Sequence, residues 1–147
     1  MRSLAHRLRG DEGSAAIEAA IVLPSLLLFL CLAIAGGRIV TSGSKIDSAA
    51  QDAAREASIH RTTAAAQGAA RSAAAESLND QGIKCTSTAV RVNTGGLSVP
   101  VGQVGTVTAT VTCTVSLSDL LLPGLPGAKT LTSTTTSVVD RYRQRGV

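Results

Sequence analysis

The sequence predicts an α+β protein, in which a single N-terminal transmembrane helix continues into a long Ala-rich helix and is followed by a small antiparallel β-sheet. Three observations predict this architecture. Positions 19–37 carry no charge, positions 45–79 are dominated by alanine, and positions 107–117 alternate between apolar residues and threonine or serine. Each pattern has the length or the period of a different element, so we expect the structure to change along the chain.

The apolar run is long enough to cross a membrane once. At about 1.5 Å per residue, a helix over residues 14–38 exceeds the roughly 30 Å thickness of the hydrocarbon layer. Three arginines precede this helix within residues 1–13, whereas only Arg38 and Lys45 follow it closely. The positive-inside rule then predicts a basic cytoplasmic leader at 1–13 and an extracytoplasmic C-terminal region.

The first part of the exported region, residues 39–82, is expected to be helical. Alanine is interspersed there with Arg, Glu, Gln and Asp, a composition of high helix propensity with small residues on nearly every face. We predict one long, shallow amphipathic helix that frays around Thr62, Thr63 and Gly68. An alanine face buries little area by itself and suits close packing against another backbone.

The second part, residues 83–147, is expected to form the antiparallel sheet. The alternation at 107–117 is that of a half-buried strand. Residues 85–92 are its expected partner, and residues 131–139 form a weaker third strand beyond a loop at 123–127.

Composition argues against several functional classes. The net charge is +4, but the arginines are spread along the chain and aromatic residues make up only 1%, which does not favour nucleic-acid binding. The only histidines, His6 and His60, have no convincing catalytic partner, and the three cysteines form no CxxC pair. We therefore expect no enzyme activity, catalytic residue, metal, cofactor or small-molecule substrate.

The three cysteines fall in two different settings. Cys31 lies in the apolar run, where a thiol behaves as a small hydrophobe, whereas Cys85 and Cys113 lie in the predicted exported sheet. Export to an oxidising compartment favours a disulfide between the two outer cysteines over two buried free thiols. Such a bridge would stabilise a thinly cored domain by about 3.5 kcal/mol on the chain-entropy estimate.

Glu18 is the one charged residue near the start of the apolar helix. A carboxylate at mid-bilayer costs about 2.5–3.5 kcal/mol on insertion scales. Two interpretations remain open from the residue alone. Glu18 either snorkels to the cytoplasmic interface or forms an ion pair with a positive group on another subunit.

The stretch GSAAIEAAIVLP at positions 13–24 resembles a known signal. A glycine after a basic leader, then a small residue and an acid five residues after the glycine, is similar to the class III signal of type IV pilin-like proteins. The resemblance implies that a prepilin peptidase cuts between Gly13 and Ser14. It also implies that Glu18 pairs with the freed amine of a neighbouring subunit.

The wider pattern resembles the TadE-like family of minor pseudopilins, which act in assembly of tight-adherence (Flp-type) pili. The likeness extends in composition to the Ala-rich helix, the strand with two cysteines and the residues DRYR at 140–143. Ala19 departs from the aromatic that many relatives have, which should weaken a subunit contact there. The implied partners are membrane lipid, other pseudopilins, and the major pilin or the inner-membrane assembly platform.

A second interpretation is a Sec signal peptide. Residues 33–35 read Ala-Ile-Ala, an A-x-A site after a basic start, and cleavage near Ala35 would release an extracytoplasmic structural or adhesion protein. Glu18 and the 19 uncharged positions that follow it count against an h-region of ordinary length.

Overall fold

The computed structural model describes residues 12–120, 124 and 126–142, so most of the predicted leader lies outside the described residues. The architecture is helical first and then β, and the predicted α+β fold is confirmed. The helices are α1 (Glu12–Ile59), α2 (Thr63–Asp80) and the one-turn α3 (Leu117–Leu120), the strands are β1 (Cys85–Asn93), β2 (Gly105–Ser116) and β3 (Ala128–Val139), and Gly95–Ser98 form a short 3₁₀ helix.

The chain divides into two compact units between Gly37 and Arg38. In the first unit, the described part of α1 is apolar and its side chains are almost all exposed. This is the one helix among the described residues that is long and apolar enough to cross a membrane, and it fits a single-pass membrane anchor.

The second unit begins with two helices where the sequence predicts one. Helix α1 ends at Ile59 and α2 begins at Thr63, whose N-cap residue Thr62 accepts a hydrogen bond from the backbone N–H of Ala65 at 3.3 Å. A threonine cap satisfies one of the free N–H groups of a new helix, so it favours a break at this point. The predicted fraying at Thr62 thus coincides with a complete break, whereas Gly68 lies inside α2.

Hydrogen bonds join α1 near Lys45 to the C-terminal end of α2. The Lys45 Nζ donates to the backbone oxygen of Gln81 at 2.8 Å, and the Gln81 side chain donates back to the oxygen of Lys45 at 3.4 Å. Gln81 is the C-cap of α2, so the lysine places a positive charge at the negative end of the helix dipole. Since Lys45 lies near the start of the second unit, α2 runs back antiparallel to α1.

The sheet is a simple antiparallel meander with the order β1-β2-β3. In the central strand β2, the odd-numbered residues are buried and the even-numbered ones face outward, as the alternation predicted. Strand β3 begins at Ala128 rather than at position 131, and Leu117 belongs to α3 rather than to β2. The early start of β3 follows from its pairing with the end of β2, where Ala128 lies opposite Ser116.

The core of the second unit lies between the helices and one face of the sheet. The alanines that α1 and α2 contribute have no exposed area, so the helix side of this core consists mainly of small side chains. A hydrogen bond of 3.1 Å from the Ser137 hydroxyl to that of Ser58 also links β3 to α1. The buried alanines of the two helices are Ala49, Ala50, Ala53, Ala54, Ala57, Ala66, Ala70 and Ala74.

Two glycines allow the 3₁₀ segment to cross the start of β2. A Cβ atom on Gly96 would collide with the backbone of Thr106, and one on Gly105 would collide with the carbonyl oxygen of Gly96. This close backbone approach directs Leu97, which is 5% exposed, into the core.

We expect Ala70→Leu to lower the free energy of unfolding of the second unit by about 1–3 kcal/mol, because a larger side chain at a fully buried position forces neighbouring backbones apart. Pulse proteolysis of the full chain in detergent over a series of urea concentrations measures this change. Ala75→Leu is the matched control, since Ala75 is exposed on the same helix and should shift the midpoint little. Equal midpoints for the two variants would contradict this packing of α2.

Candidate functional site

The predicted processing residues lie at the N-terminal end of the described part of the apolar helix. Gly13 and Ser14 both belong to α1, whose described residues start at Glu12.

Glu18 lies about 6 Å along the helix axis from Ser14, at about 1.5 Å per residue. The carboxylate is exposed, and the structure gives it no hydrogen bond or ion pair within the part of the chain that it describes. The nearby Ile17 and Ile21 are 66% and 70% exposed. Glu18 is thus a charge on an apolar helix surface, with no internal partner among the described residues.

The helix surface around and beyond Glu18 is covered by large apolar side chains. An exposed surface of this kind needs a lipid or protein covering, because contiguous apolar area in water is costly. Pro24 lies inside this stretch. The Ser25 hydroxyl donates a hydrogen bond to the backbone oxygen of Val22 at 2.8 Å, so this polar group has its hydrogen-bond partner within the helix. The exposed large apolar residues of this surface are Ile17, Ile21, Val22, Leu23, Leu26, Leu27, Leu28, Phe29, Leu30, Leu32 and Ile34.

The structure joins Cys85 and Cys113 by a disulfide, with their Cα atoms 5.5 Å apart. The two residues are not directly opposite in the sheet. Cys85 is level with Val115, and the register of β1 shifts between Cys85 and Ser87 before Thr88 comes level with Cys113. This irregularity next to the bridge has no signal in the sequence pattern.

The cysteines differ in exposure as well as in bonding. Cys113 is completely buried in the core of the second unit, and the bridge therefore links the sheet from within. Cys31 is free and exposed on the apolar part of α1. A thiol there behaves as one more small apolar group on that surface.

The remaining groups capable of chemistry are dispersed over the second unit. The His60 Nε2 lies 3.4 Å from the Glu56 carboxylate, with no hydrogen-bond partner in the described residues. An open groove of about 250 Å³ brings Asp52 of α1 near Glu76 and Asp80 of α2, a grouping that the sequence pattern did not indicate. Within residues 12–120, 124 and 126–142, no three His, Cys, Asp or Glu side chains are placed to hold a metal ion.

Comparison with known families identifies the N-terminal part of the chain. The family model described as TadE-like protein matches residues 13–55. The chain contains a TadE-like segment. This confirms the resemblance over that stretch, and it relates the chain to a family of pilus structural components rather than to an enzyme family. Comparisons with curated proteins and with solved structures gave no match.

The TadE-like segment begins at Gly13 and contains Ser14, Glu18 and the entire apolar surface of α1. It ends at position 55, four residues before the end of α1. The disulfide and the sheet lie outside the TadE-like segment. The family match therefore bears on the anchor and on the start of the second unit, while the sheet must be interpreted from its own residues.

We expect Cys113→Ser to lower the free energy of unfolding of the second unit by about 3.5 kcal/mol, since the bridge closes a loop between residues 28 apart. The variant should reach the membrane normally but persist there at a lower level. Cys31→Ser is the matched control and should leave the second unit unchanged.

Peptide mapping without reduction provides the direct measurement. A peptide that links Cys85 to Cys113 is expected, together with a Cys31 that alkylates without prior reduction. Alkylation of all three cysteines in the folded, unreduced protein would contradict the bridge.

Proposed function

We propose that the protein is a TadE-like minor pseudopilin that acts in assembly of a tight-adherence (Flp-type) pilus. One observation carries the proposal. The TadE-like segment begins at Gly13, and the fifth residue after that glycine is Glu18, a carboxylate without an internal partner among the described residues on an exposed apolar helix. A helix of this design is suited to association with other helices in the membrane.

The proposed organisation has four parts. Residues 1–13 form the cytoplasmic leader, 14–38 cross the membrane, and 39–82 and 83–147 form the exported helical and β regions. The arginines of the leader support this orientation by the positive-inside rule. The disulfide supports it independently, because a bridge between Cys85 and Cys113 requires an oxidising compartment.

The proposed processing enzyme is a prepilin peptidase, which cuts between Gly13 and Ser14 on the cytoplasmic side. After the cut, the new amine of Ser14 is at the helix N-terminus. The amine and the Glu18 carboxylate of the same chain are then one helical turn apart. In an assembly of parallel helices offset by about one turn, the carboxylate of one subunit lies level with the amine of the next.

The ion pair gives Glu18 its role in this proposal. A buried charge without a counter-charge is unfavourable in the membrane, whereas a carboxylate paired with an ammonium group is tolerated. Assembly supplies the counter-charge that the single chain lacks. The partners are other pseudopilins, the major pilin or the inner-membrane assembly platform, and the role is structural rather than enzymatic.

The extent of the family match supports an anchored protein over one released by signal peptidase. The TadE-like segment continues 20 residues beyond Ala35, and Ala35 itself lies within α1. Cleavage there would remove Glu18 and the apolar surface and would divide the TadE-like segment. An anchored chain retains both.

The mature protein is expected to begin at Ser14. Intact-mass or N-terminal peptide analysis of membrane fractions measures this directly. Gly13→Ala should slow cleavage, since the peptidase cleft is expected to require a close approach to the backbone. Gly10→Ala is the matched control in the leader and should be processed normally. A mature chain that begins at Gly36 would overturn the pseudopilin proposal.

We expect Glu18→Gln to insert into the membrane as well as the wild type, because a neutral amide costs less than a carboxylate in lipid. Its association with pilus components should be lost, because the amine on the neighbouring subunit then has no counter-charge. The measurement is crosslinking or co-purification with pilus components, normalised to the membrane level of the variant.

Glu76→Gln is the control for this change, since it removes the same charge from an exposed position on α2. It should associate as the wild type does. Unchanged association and piliation with Glu18→Gln would show that Glu18 is only a tolerated interfacial carboxylate, and the ion-pair mechanism would be withdrawn.

A further inference from the structure

The outer edge of β3 is long and regular. Strand β3 runs over Ala128–Val139 and pairs with β2 on one side, and no other described strand pairs with its second side. It has no proline and one charge, Lys129, and its pairing with β2 is continuous from end to end. An edge with these properties has its backbone groups available for another strand.

The opposite edge of the sheet is shorter and less regular. Strand β1 has nine residues, its register shifts between Cys85 and Ser87, and its one charge is Arg91. Helix α2 also packs against it. Bulges, charges and helices are the usual ways in which a protein protects a sheet edge. The β1 edge has all three, whereas the β3 edge has only the charge of Lys129 near its start.

The outward face of β3 is a row of threonines that already make hydroxyl pairs with β2. Their Oγ1 atoms lie 2.9–3.2 Å from those of the threonines directly opposite. Threonine pairs across antiparallel strands contribute to sheet stability. The pairs are Thr108 with Thr136, Thr110 with Thr134, Thr112 with Thr132 and Thr114 with Thr130.

We propose that a second copy of this chain occupies the free edge, with β3 of one copy antiparallel to β3 of the other and Ser133 opposite Ser133. In this register residues 128–138 of each copy are paired. Thr130 lies opposite Thr136, and Thr132 lies opposite Thr134. All four outward threonines of each β3 then lie opposite a threonine of the other copy, just as they already lie opposite threonines of β2. The two three-stranded sheets become a single six-stranded sheet.

The register follows from the sequence of the strand. A shift by one residue would place outward threonines against the buried face, so only every second register is allowed. Centring the pair on Thr134 puts Thr130 opposite Val138, and centring it on Thr132 shortens the overlap to residues 128–136. The register centred on Ser133 alone combines the longer overlap with complete threonine pairing.

Charge and apolar exposure agree with this arrangement. Lys129 lies opposite Ser137, so no like charges face each other across the new pair. Val138, which is 68% exposed on the outward face, gains Ala128 of the second copy as its neighbour. The pairing uses only the second unit and does not depend on the proposed pilus role, so its test is separate from those of Gly13 and Glu18.

Disulfide crosslinking in membranes tests the register. Two tagged copies of the full chain are expressed together on a Cys31→Ser background, one with Thr132→Cys and the other with Thr134→Cys. Directly opposite residues have Cα atoms about 4.5–5.5 Å apart, within the range that a disulfide accepts. This combination should give at least about fivefold more linked heterodimer than Thr132→Cys in both copies, whose Cα atoms are diagonal at about 7–8 Å.

The matched control places the same residue on the protected edge, with Ser87→Cys in one copy and Ala89→Cys in the other. It should give no linked dimer above background. Peptide mapping of the dimer band must show the link between positions 132 and 134. Equal crosslinking at both edges, no crosslink at β3, or a link from β3 to a different protein would each overturn the proposal.

A charge exchange provides the second test. The double variant Thr132→Lys, Thr134→Lys sets new lysines opposite each other across the pair, and β3 crosslinking through Ser133→Cys should then be lost. Co-expression with Thr132→Glu, Thr134→Glu should restore it in the mixed dimer. The same lysine changes at Ser87 and Ala89 should leave β3 crosslinking unchanged. Failure of the opposite charges to restore the mixed dimer would contradict direct strand pairing.

Discussion

The second unit depends on a shared core, in which the alanines of two helices and the inward residues of β2 are buried together. The helices contribute mostly alanine to this core, so small side chains fill it at the density usual of protein interiors. Alanine also has a small apolar surface, so folding removes little apolar area from water. Because burial stabilises by about 25 cal/mol per Å² of apolar area, the hydrophobic contribution is small. The unit therefore has dense packing but a small hydrophobic contribution, and the Cys85–Cys113 bridge compensates by restricting the unfolded chain.

The sequence predicts the elements whose pattern is local and periodic. The alternation around Val111 identifies β2, since a period of two has one structural interpretation, and the uncharged run identifies the apolar part of α1. The break between α1 and α2 was harder to predict because the composition is the same on both sides of it. Its one local signal was Thr62, a good N-cap residue. The start of β3 was missed because Ala128 and Lys129 are exposed and are held there by pairing with β2, which is a tertiary effect.

The candidate site shows the same division. Gly13, Ser14 and Glu18 could be found from the sequence, since a signal that a peptidase reads is a linear string. The register shift beside Cys85 and the acidic groove near Asp52 could not be found, because each depends on how separate elements come together. The role of Glu18 can be predicted only in part from the sequence. The sequence identifies the charge that needs a counter-charge, but no charge within the described chain supplies it.

The disulfide also determines how the chain responds to mechanical load. In the proposed pilus role, a chain that is anchored at one end and attached to a filament at the other experiences tension along its backbone. The bridge spans a sequence separation of 28 residues, which would extend by about 95 Å at roughly 3.4 Å per residue if they could be pulled straight. While the bridge is intact, tension passes from Cys85 to Cys113 through the sulfur atoms, and most of β1, the 3₁₀ segment and most of β2 are shielded from stretching. The redox state of one bond therefore fixes how far the second unit can lengthen under tension.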